Sequence, residues 1–117
     1  MTDLKQRGLL DTTVVHWGGE SGRLPVVQSR AMPGRDHNGQ GFSTWLAGGG
    51  FRPGTVYGEP DEVGHRAVVN KVTANDYQAT LLHLFGLDHN GLIYPQGARR
   101  QKLTNDRQAR VVTNILA

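Results

Sequence analysis

Two short polar segments of the sequence contain the residue types that bind metals and anions. The first is GGESGR, which carries Glu20 and Arg23. The second is GRDH, which carries Arg35, Asp36 and His37. Carboxylate oxygens suit Ca²⁺ or Mg²⁺, an imidazole favours Zn²⁺, and paired guanidinium groups suit sulfate or phosphate oxygens. Each segment is therefore either an ordinary surface turn or one wall of a metal or anion site.

Other common chemistries find little support. The chain has no cysteine, which excludes a disulfide framework, a cysteine zinc site and a cysteine nucleophile. Ser21 does not lie in a G-x-S-x-G elbow, and the glycines at 48–50 lack the strand–turn–helix context of a dinucleotide site. No two histidines have the i, i+4 spacing of a helical metal pair. The histidines outside GRDH are expected to be structural or solvated: His16, His65, His83 and His89.

Length and composition indicate one ordinary domain with a modest core. The chain has 117 residues, of which 37% are hydrophobic, and a net charge of +3. The basic run ARRQK at 98–102 is more typical of a solvated face than of a nucleic-acid site. Trp17 and Trp45 are expected to pack in the core or at an interface. No apolar run approaches the roughly 18 residues of a membrane span, and no signal peptide is evident. We therefore expect a soluble chain, and the sequence does not indicate its cellular compartment.

Periodicity and turn residues predict alternating helices and strands in the first half. A helix is predicted over 2–10 with Gly8 near its C-terminal cap. Strands are predicted at 12–18 and 42–48, separated by a loop. Shorter extended pieces are predicted around Val56 and at 67–72.

Two helices are predicted in the second half. The clearer one covers NDYQATLLHLFGLD and is stopped by Gly86. A turn follows at 95–97, and a last helix is predicted over 105–117. Each helix has two candidate N-caps, which are Asn75 or Asp76 for the first and Asn105 or Asp106 for the second.

This alternation predicts an α/β sandwich, in which functional loops lie beyond the carboxyl ends of the strands. Glu20 follows the first predicted strand, whereas Asp36 and His37 precede the second. The two polar segments meet at one end of the sheet only if these strands are antiparallel. The sequence leaves the two strand directions open.

Five ordered motifs resemble a known family. RGLLDTTVVHWGGESGR resembles a sulfatase stretch in which an acidic metal ligand follows a strand, and NDYQATLLHLFGLD resembles a sulfatase helix. The series WGGESGR, GRDH, WLAGGG, TVYGEPDE and DYQATLLHLFGLDH is similar in order and spacing to a bacterial family of sulfatase-like proteins, the domain of unknown function 1501. The resemblance covers nearly all of residues 4–117.

The resemblance implies membership of the alkaline phosphatase superfamily. The expected fold class is α/β, a partial alkaline-phosphatase- or sulfatase-like sheet flanked by helices, with residues 1–117 forming a single partial domain from the C-terminal third. A full-length relative is expected to hydrolyse a sulfate or phosphate ester with a divalent metal, Zn²⁺, Ca²⁺ or Mg²⁺. By position, Glu20 and His37 resemble metal ligands and Asp36 an assisting neighbour. Arg23 and Arg35 would bind the anionic ester.

The sequence also departs from the family pattern. It has no Cys or Ser in a formylglycine-type motif and no N-terminal strand with an acidic residue, so the nucleophile is unidentified and the isolated chain is expected to be inactive. Ser21 replaces a Phe, and Gln78 stands where many relatives have His. The alternative is a non-catalytic, truncated or degenerate domain that folds against the missing N-terminal part, another copy or a partner. A third hypothesis is a basic module for anionic polymers, with nucleic acid a minor option.

Overall fold

The computed structural model describes residues 1–31, 33–104 and 107–117. These residues form two compact units, Met1–Lys71 and Val72–Ala117. Both units combine helix with antiparallel strand pairs, which confirms the mixed α/β composition. No helix in the described part of the chain is long and apolar enough to cross a membrane.

The first unit consists of short elements joined by turns. Its helical elements are α1, Thr2–Gln6, and a 3-10 turn, Leu10–Thr12. Its strands are β1 (Val15–Trp17), β2 (Gly22–Arg23), β3 (His37–Asn38), β4 (Trp45–Ala47), β5 (Glu59–Pro60) and β6 (Ala67–Val69). Three antiparallel two-stranded sheets result, in which β1 pairs with β4, β2 with β3, and β5 with β6.

The second unit is built around one longer helix. Helix α2 covers Ala74–Leu84, and strands β7 (Ile93–Gln96) and β8 (Arg99–Lys102) form an antiparallel hairpin. A 3-10 turn, Thr113–Ile115, follows near the C-terminus.

Both α-helices end at the glycines that the sequence indicated. Gly8 and Gly86 have φ values of +67° and +74°, a left-handed conformation that glycine adopts without steric cost. After α2, the Gly86 N–H donates to the His83 carbonyl and the Leu87 N–H to the Leu82 carbonyl, both at 2.9 Å. This pattern is a Schellman motif, which satisfies carbonyls that the end of a helix leaves without partners.

The N-terminus of α2 differs from the prediction. Thr73 is the N-cap, and its side chain accepts a hydrogen bond from the Asp76 N–H at 3.1 Å. Asp76 completes a capping box, because its Oδ2 accepts from the Thr73 N–H at 2.9 Å. The prediction of Asn75 or Asp76 as the cap was therefore wrong, since the reciprocal pairing requires the threonine three positions before the aspartate.

The predicted last helix is also wrong over its described residues. Residues 107–112 are not helical, and only Thr113–Ile115 forms a 3-10 turn. Side chains of α2 bind the backbone of this segment instead. The Arg110 N–H donates to Asp76 Oδ1, and the Val112 N–H donates to Thr80 Oγ1, both at 2.9 Å. The candidate caps Asn105 and Asp106 lie outside the described residues.

Two smaller predictions in turn regions differ from the structure. Val56 lies outside any strand and is 93% exposed, and the neighbouring strand is β5. The turn predicted at 95–97 is confirmed only at Gly97, whose φ is +59°, because residues 95 and 96 belong to β7 and the turn covers residues 97–98. The hairpin places the basic run ARRQK largely on β8.

The apolar core of the described residues is small, as the composition indicated. The buried apolar side chains are Phe51 in the first unit and Ala79 and Val112 in the second. Trp17 and Trp45 face each other across β1 and β4 but are 74% and 46% exposed. Of the two alternatives predicted for them, packing in the core was therefore wrong, and packing at an interface stays a prediction.

Candidate functional site

The two polar segments of the sequence meet in the strand pair β2–β3. Gly22 pairs with Asn38 and Arg23 pairs with His37 in antiparallel register. The ladder is extended by a hydrogen bond of 2.9 Å from the Leu24 N–H to the Asp36 carbonyl. The strands β1 and β4 that flank these segments are also antiparallel, which is the arrangement under which the sequence predicts that the segments meet.

The guanidinium of Arg23 reaches across this strand pair. Its Nη1 donates a hydrogen bond of 3.3 Å to the carbonyl oxygen of Arg35. Both arginines are exposed, as is His37, which is the partner of Arg23 in the ladder. Side chains of directly paired residues have Cβ atoms roughly 4.5–5.5 Å apart. One exposed edge of the first unit therefore carries two guanidinium groups and an imidazole.

Asp36 is engaged locally. Its Oδ1 accepts a hydrogen bond of 2.7 Å from the His37 backbone N–H, and its carbonyl belongs to the ladder. Successive side chains of an extended segment point to opposite faces. Asp36 therefore constrains the backbone that carries His37.

Glu20 lies in the bend before β2 and is exposed. Across residues 1–31, 33–104 and 107–117, no three His, Asp or Glu side chains are grouped so that they could hold a metal ion. Glu20, Asp36 and His37 thus do not form a three-ligand group within the described chain. The strand pair brings together the two arginines, Asp36 and His37. Glu20 is not part of the pair and precedes β2 by two residues.

Asn38 positions this site, although sequence reasoning did not single it out. The side chain is 2% exposed. Its Nδ2 donates to the His65 carbonyl at 2.7 Å, and its Oδ1 accepts from the Gln40 N–H at 2.9 Å. The Ala67 N–H in turn donates to the Gln40 carbonyl at 2.9 Å. Asn38 therefore ties β3 to the hairpin formed by β5 and β6.

That hairpin is ordered by an acidic turn. Asp61 Oδ1 accepts from the His65 N–H at 2.7 Å, and its Oδ2 lies 3.7 Å from Arg66 Nε. The hydrogen bond from the His65 backbone is the main cause that lowers the pKa of Asp61 below its ordinary value. An ionised Asp61 thus holds the turn that presents the His65 carbonyl to Asn38. The sequence contained a signal for Asn38 only in its Asn–Gly step, which is a general turn indicator.

Asn38→Ala is expected to destabilise the first unit by about 1–3 kcal/mol, because it removes a buried amide and leaves the Gln40 N–H and the His65 carbonyl without these hydrogen bonds. Faster amide hydrogen exchange at Gln40 and His37, measured by NMR, checks the result. Gln40→Ala is the matched control, since it removes an exposed side chain and keeps the backbone bonds. Equal exchange at Gln40 in both variants would contradict the positioning role.

Comparison with known proteins adds one positive finding. A family model described as "Protein of unknown function (DUF1501)" matches residues 1–116. No curated protein and no solved structure is detectably similar to the chain.

Proposed function

The chain belongs to the DUF1501 family of proteins of unknown function, and we propose that it supplies one part of a sulfatase-like site for metal-dependent hydrolysis of sulfate or phosphate esters. The observation that carries this proposal is the strand pair β2–β3, which joins GGESGR and GRDH. The resemblance of the stretch containing GGESGR to a sulfatase sequence, and of His37 in GRDH to a metal-binding histidine of the superfamily, supports the assignment of the reaction class.

Arg23 and Arg35 bind the anionic ester in this proposal. A guanidinium group presents several N–H donors in a plane and binds sulfate or phosphate oxygens through paired, charge-assisted hydrogen bonds. Arg23 uses Nη1 on the Arg35 carbonyl, which orients its guanidinium group along the exposed edge. The side chain of Arg35 projects from the same backbone position that Arg23 contacts.

Glu20 and His37 provide metal ligands in this proposal, and Asp36 orients His37. The donor types fit a divalent cation, because carboxylate and imidazole are ordinary ligands of Zn²⁺ and, for the carboxylate, of Ca²⁺ and Mg²⁺. Their number does not complete a site, so the proposed reaction also requires further ligands and a nucleophile, which are not assigned here to any residue. When bound, the metal would neutralise charge on the transferred group.

Titration with Zn²⁺, Ca²⁺, Mg²⁺ and Mn²⁺ in a calorimeter tests the ligand assignment. The wild-type chain is expected to bind one of these ions weakly, and Glu20→Ala and His37→Ala are each expected to reduce the affinity by about tenfold or more, as loss of one ligand implies. Glu62→Ala is the matched control, because Glu62 is an exposed glutamate in the turn between β5 and β6. Absence of heat with every ion would contradict the metal assignment.

A second candidate function is non-catalytic binding of another polypeptide or another copy of the chain. The observation that favours it is the exposed Trp17–Trp45 pair on the two-stranded ladder of β1 and β4. Tryptophan is enriched at interfaces, and a two-stranded ladder is only marginally stable by itself. The metal titration separates the two functions, since an interface of this kind requires no ion.

A further inference from the structure

The second unit contains an open cavity of about 490 Å³. It lies where the start of α2, the end of β8 and segment 107–110, which is neither helix nor strand, approach one another. The lining includes Asp76, Asn90, Lys102, Thr104, Arg107 and Gln108. All of them belong to the unit Val72–Ala117.

Positive charge exceeds negative charge among these residues. The lining contains Lys102, Arg107 and Arg110 against the carboxylate of Asp76. Both oxygens of that carboxylate already accept backbone hydrogen bonds, from the N–H groups of Thr73 and Arg110. Arg110 also interacts electrostatically with Asp76. The charges of Lys102 and Arg107 are therefore the surplus that faces the cavity.

Asp76 stays ionised within this arrangement. Its burial acts to raise its pKa, but the backbone hydrogen bonds from Thr73 and Arg110 outweigh the burial, and the pKa lies below its ordinary value. The capping box of Thr73 and Asp76 also occupies the start of α2. An added anion would thus be bound by the side chains of the cavity and not by the helix terminus.

We propose that this cavity binds a small oxyanion, phosphate or sulfate, either free or as the terminal group of an ester. Lys102 and Arg107 supply the opposite charge, and Asn90, Thr104 and Gln108 supply neutral polar groups around it. Thr104 is 3% exposed and Lys102 is half-buried, whereas Arg107 is exposed at the mouth of the open cavity. This binding site does not depend on the function proposed for GGESGR and GRDH.

Titration with inorganic phosphate at low ionic strength tests the proposal, with the amide NMR signals of Asn90, Gln108 and Ala109 as the readout. Saturable shifts are expected for the wild-type chain. The double variant Lys102→Gln/Arg107→Gln is expected to bind at least about tenfold more weakly, because two charged donors are lost. The control is Arg99→Gln/Arg100→Gln, which removes the same charge from exposed positions of β8 and is expected to stay within about twofold.

Three results would overturn the proposal. They are the absence of shifts in the wild-type chain, an equal loss of affinity in the control, or retained affinity in Lys102→Gln/Arg107→Gln. Protection of the α2 amides from hydrogen exchange shows that each variant is folded, and the single variant Arg107→Gln replaces the double one if protection is lost. Arg23→Gln/Arg35→Gln is expected to leave the shifts at Asn90, Gln108 and Ala109 unchanged, so failure of the ester site and failure of this cavity are distinguishable.

Discussion

Asp76→Asn is expected to lower the free energy of unfolding of the second unit by about 3 kcal/mol, because a buried carboxylate that accepts two backbone hydrogen bonds becomes an amide. The Oδ1 and Oδ2 atoms of Asp76 accept from Arg110 and Thr73, both at 2.9 Å. An asparagine side chain has one acceptor oxygen and one NH₂ group. One of the two backbone donors would therefore face another donor in a side chain that is only 6% exposed.

The same substitution is expected to change how stability depends on pH. The pKa of Asp76 in the folded chain lies below its ordinary value of 3.8. The stabilisation is therefore complete above the unfolded-state pKa, near pH 4, and is lost as the pH falls through the lower, folded-state pKa. In Asp76→Asn this acid-dependent loss is expected to disappear, so the two chains converge in stability at low pH.

Urea unfolding followed by helical circular dichroism, together with amide exchange at Thr73 and Arg110, measures both effects. Asp88→Asn is the matched control, because Asp88 is exposed and accepts one local hydrogen bond, from the Asn90 N–H at 2.9 Å. We expect its cost to stay below about 1 kcal/mol. A similar loss in both variants would show that Asp76 does not hold the C-terminal segment on α2.

Gly48→Ala is expected to destabilise the first unit by more than about 3 kcal/mol. Gly48 has a φ of +69°, and a methyl group there would overlap the carbonyl oxygens of Leu10 and Thr13. The left-handed conformation alone costs an alanine about 1–2 kcal/mol. The overlap involves backbone atoms of the turn between α1 and β1, so relief requires that the turn move away from β4.

Gly54→Ala isolates the steric part of this effect. Gly54 has nearly the same φ, +68°, but no atom lies within 4 Å of the position that its Cβ would occupy. We expect Gly54→Ala to lower the free energy of unfolding by about 1–2 kcal/mol, which is the cost of the left-handed conformation alone. Thermal unfolding and the cross-strand amide signals of β1 and β4 report the difference, and equal costs at both positions would refute the close approach of Gly48 to residues 10–13.

The sequence predicted best where a single local cause decides the structure. Gly8 and Gly86 end helices because few other residues adopt positive φ at low cost. Strands β1, β4 and β6 lie within the predicted segments because β-branched and aromatic residues favour extended backbone. The small strand pair β2–β3 was missed, since neither Gly22 nor Asn38 has a strand preference and the pairing depends on residues far apart in the chain.

Long-range hydrogen bonds explain the failures. Residues 105–117 have the apolar pattern of a helix, yet Arg110 and Val112 donate their N–H groups to side chains of α2. For the candidate site, the sequence made the meeting of GGESGR with GRDH conditional on antiparallel strands, a condition that β1 and β4 meet, and it gave no indication of the buried role of Asn38. An asparagine before a glycine indicates a turn, but no local sequence pattern shows whether its side chain also donates to a distant carbonyl. The carbonyl that Asn38 binds is 27 residues away.

The hydrogen bonds between α2 and the C-terminal segment fix the register of that segment along the helix. Asp76 and Thr80 are four residues apart on a helix, a rise of about 6.0 Å. Arg110 and Val112 are two residues apart, and two residues of a strand rise about 6.7 Å. The rise over four helical residues thus nearly matches the two-residue repeat of a strand, and the two side-chain acceptors take the place of the backbone acceptors that a neighbouring strand would supply. A slip by one residue would turn the amides away from both acceptors, so the helix sets the register of the tail as a β-sheet would.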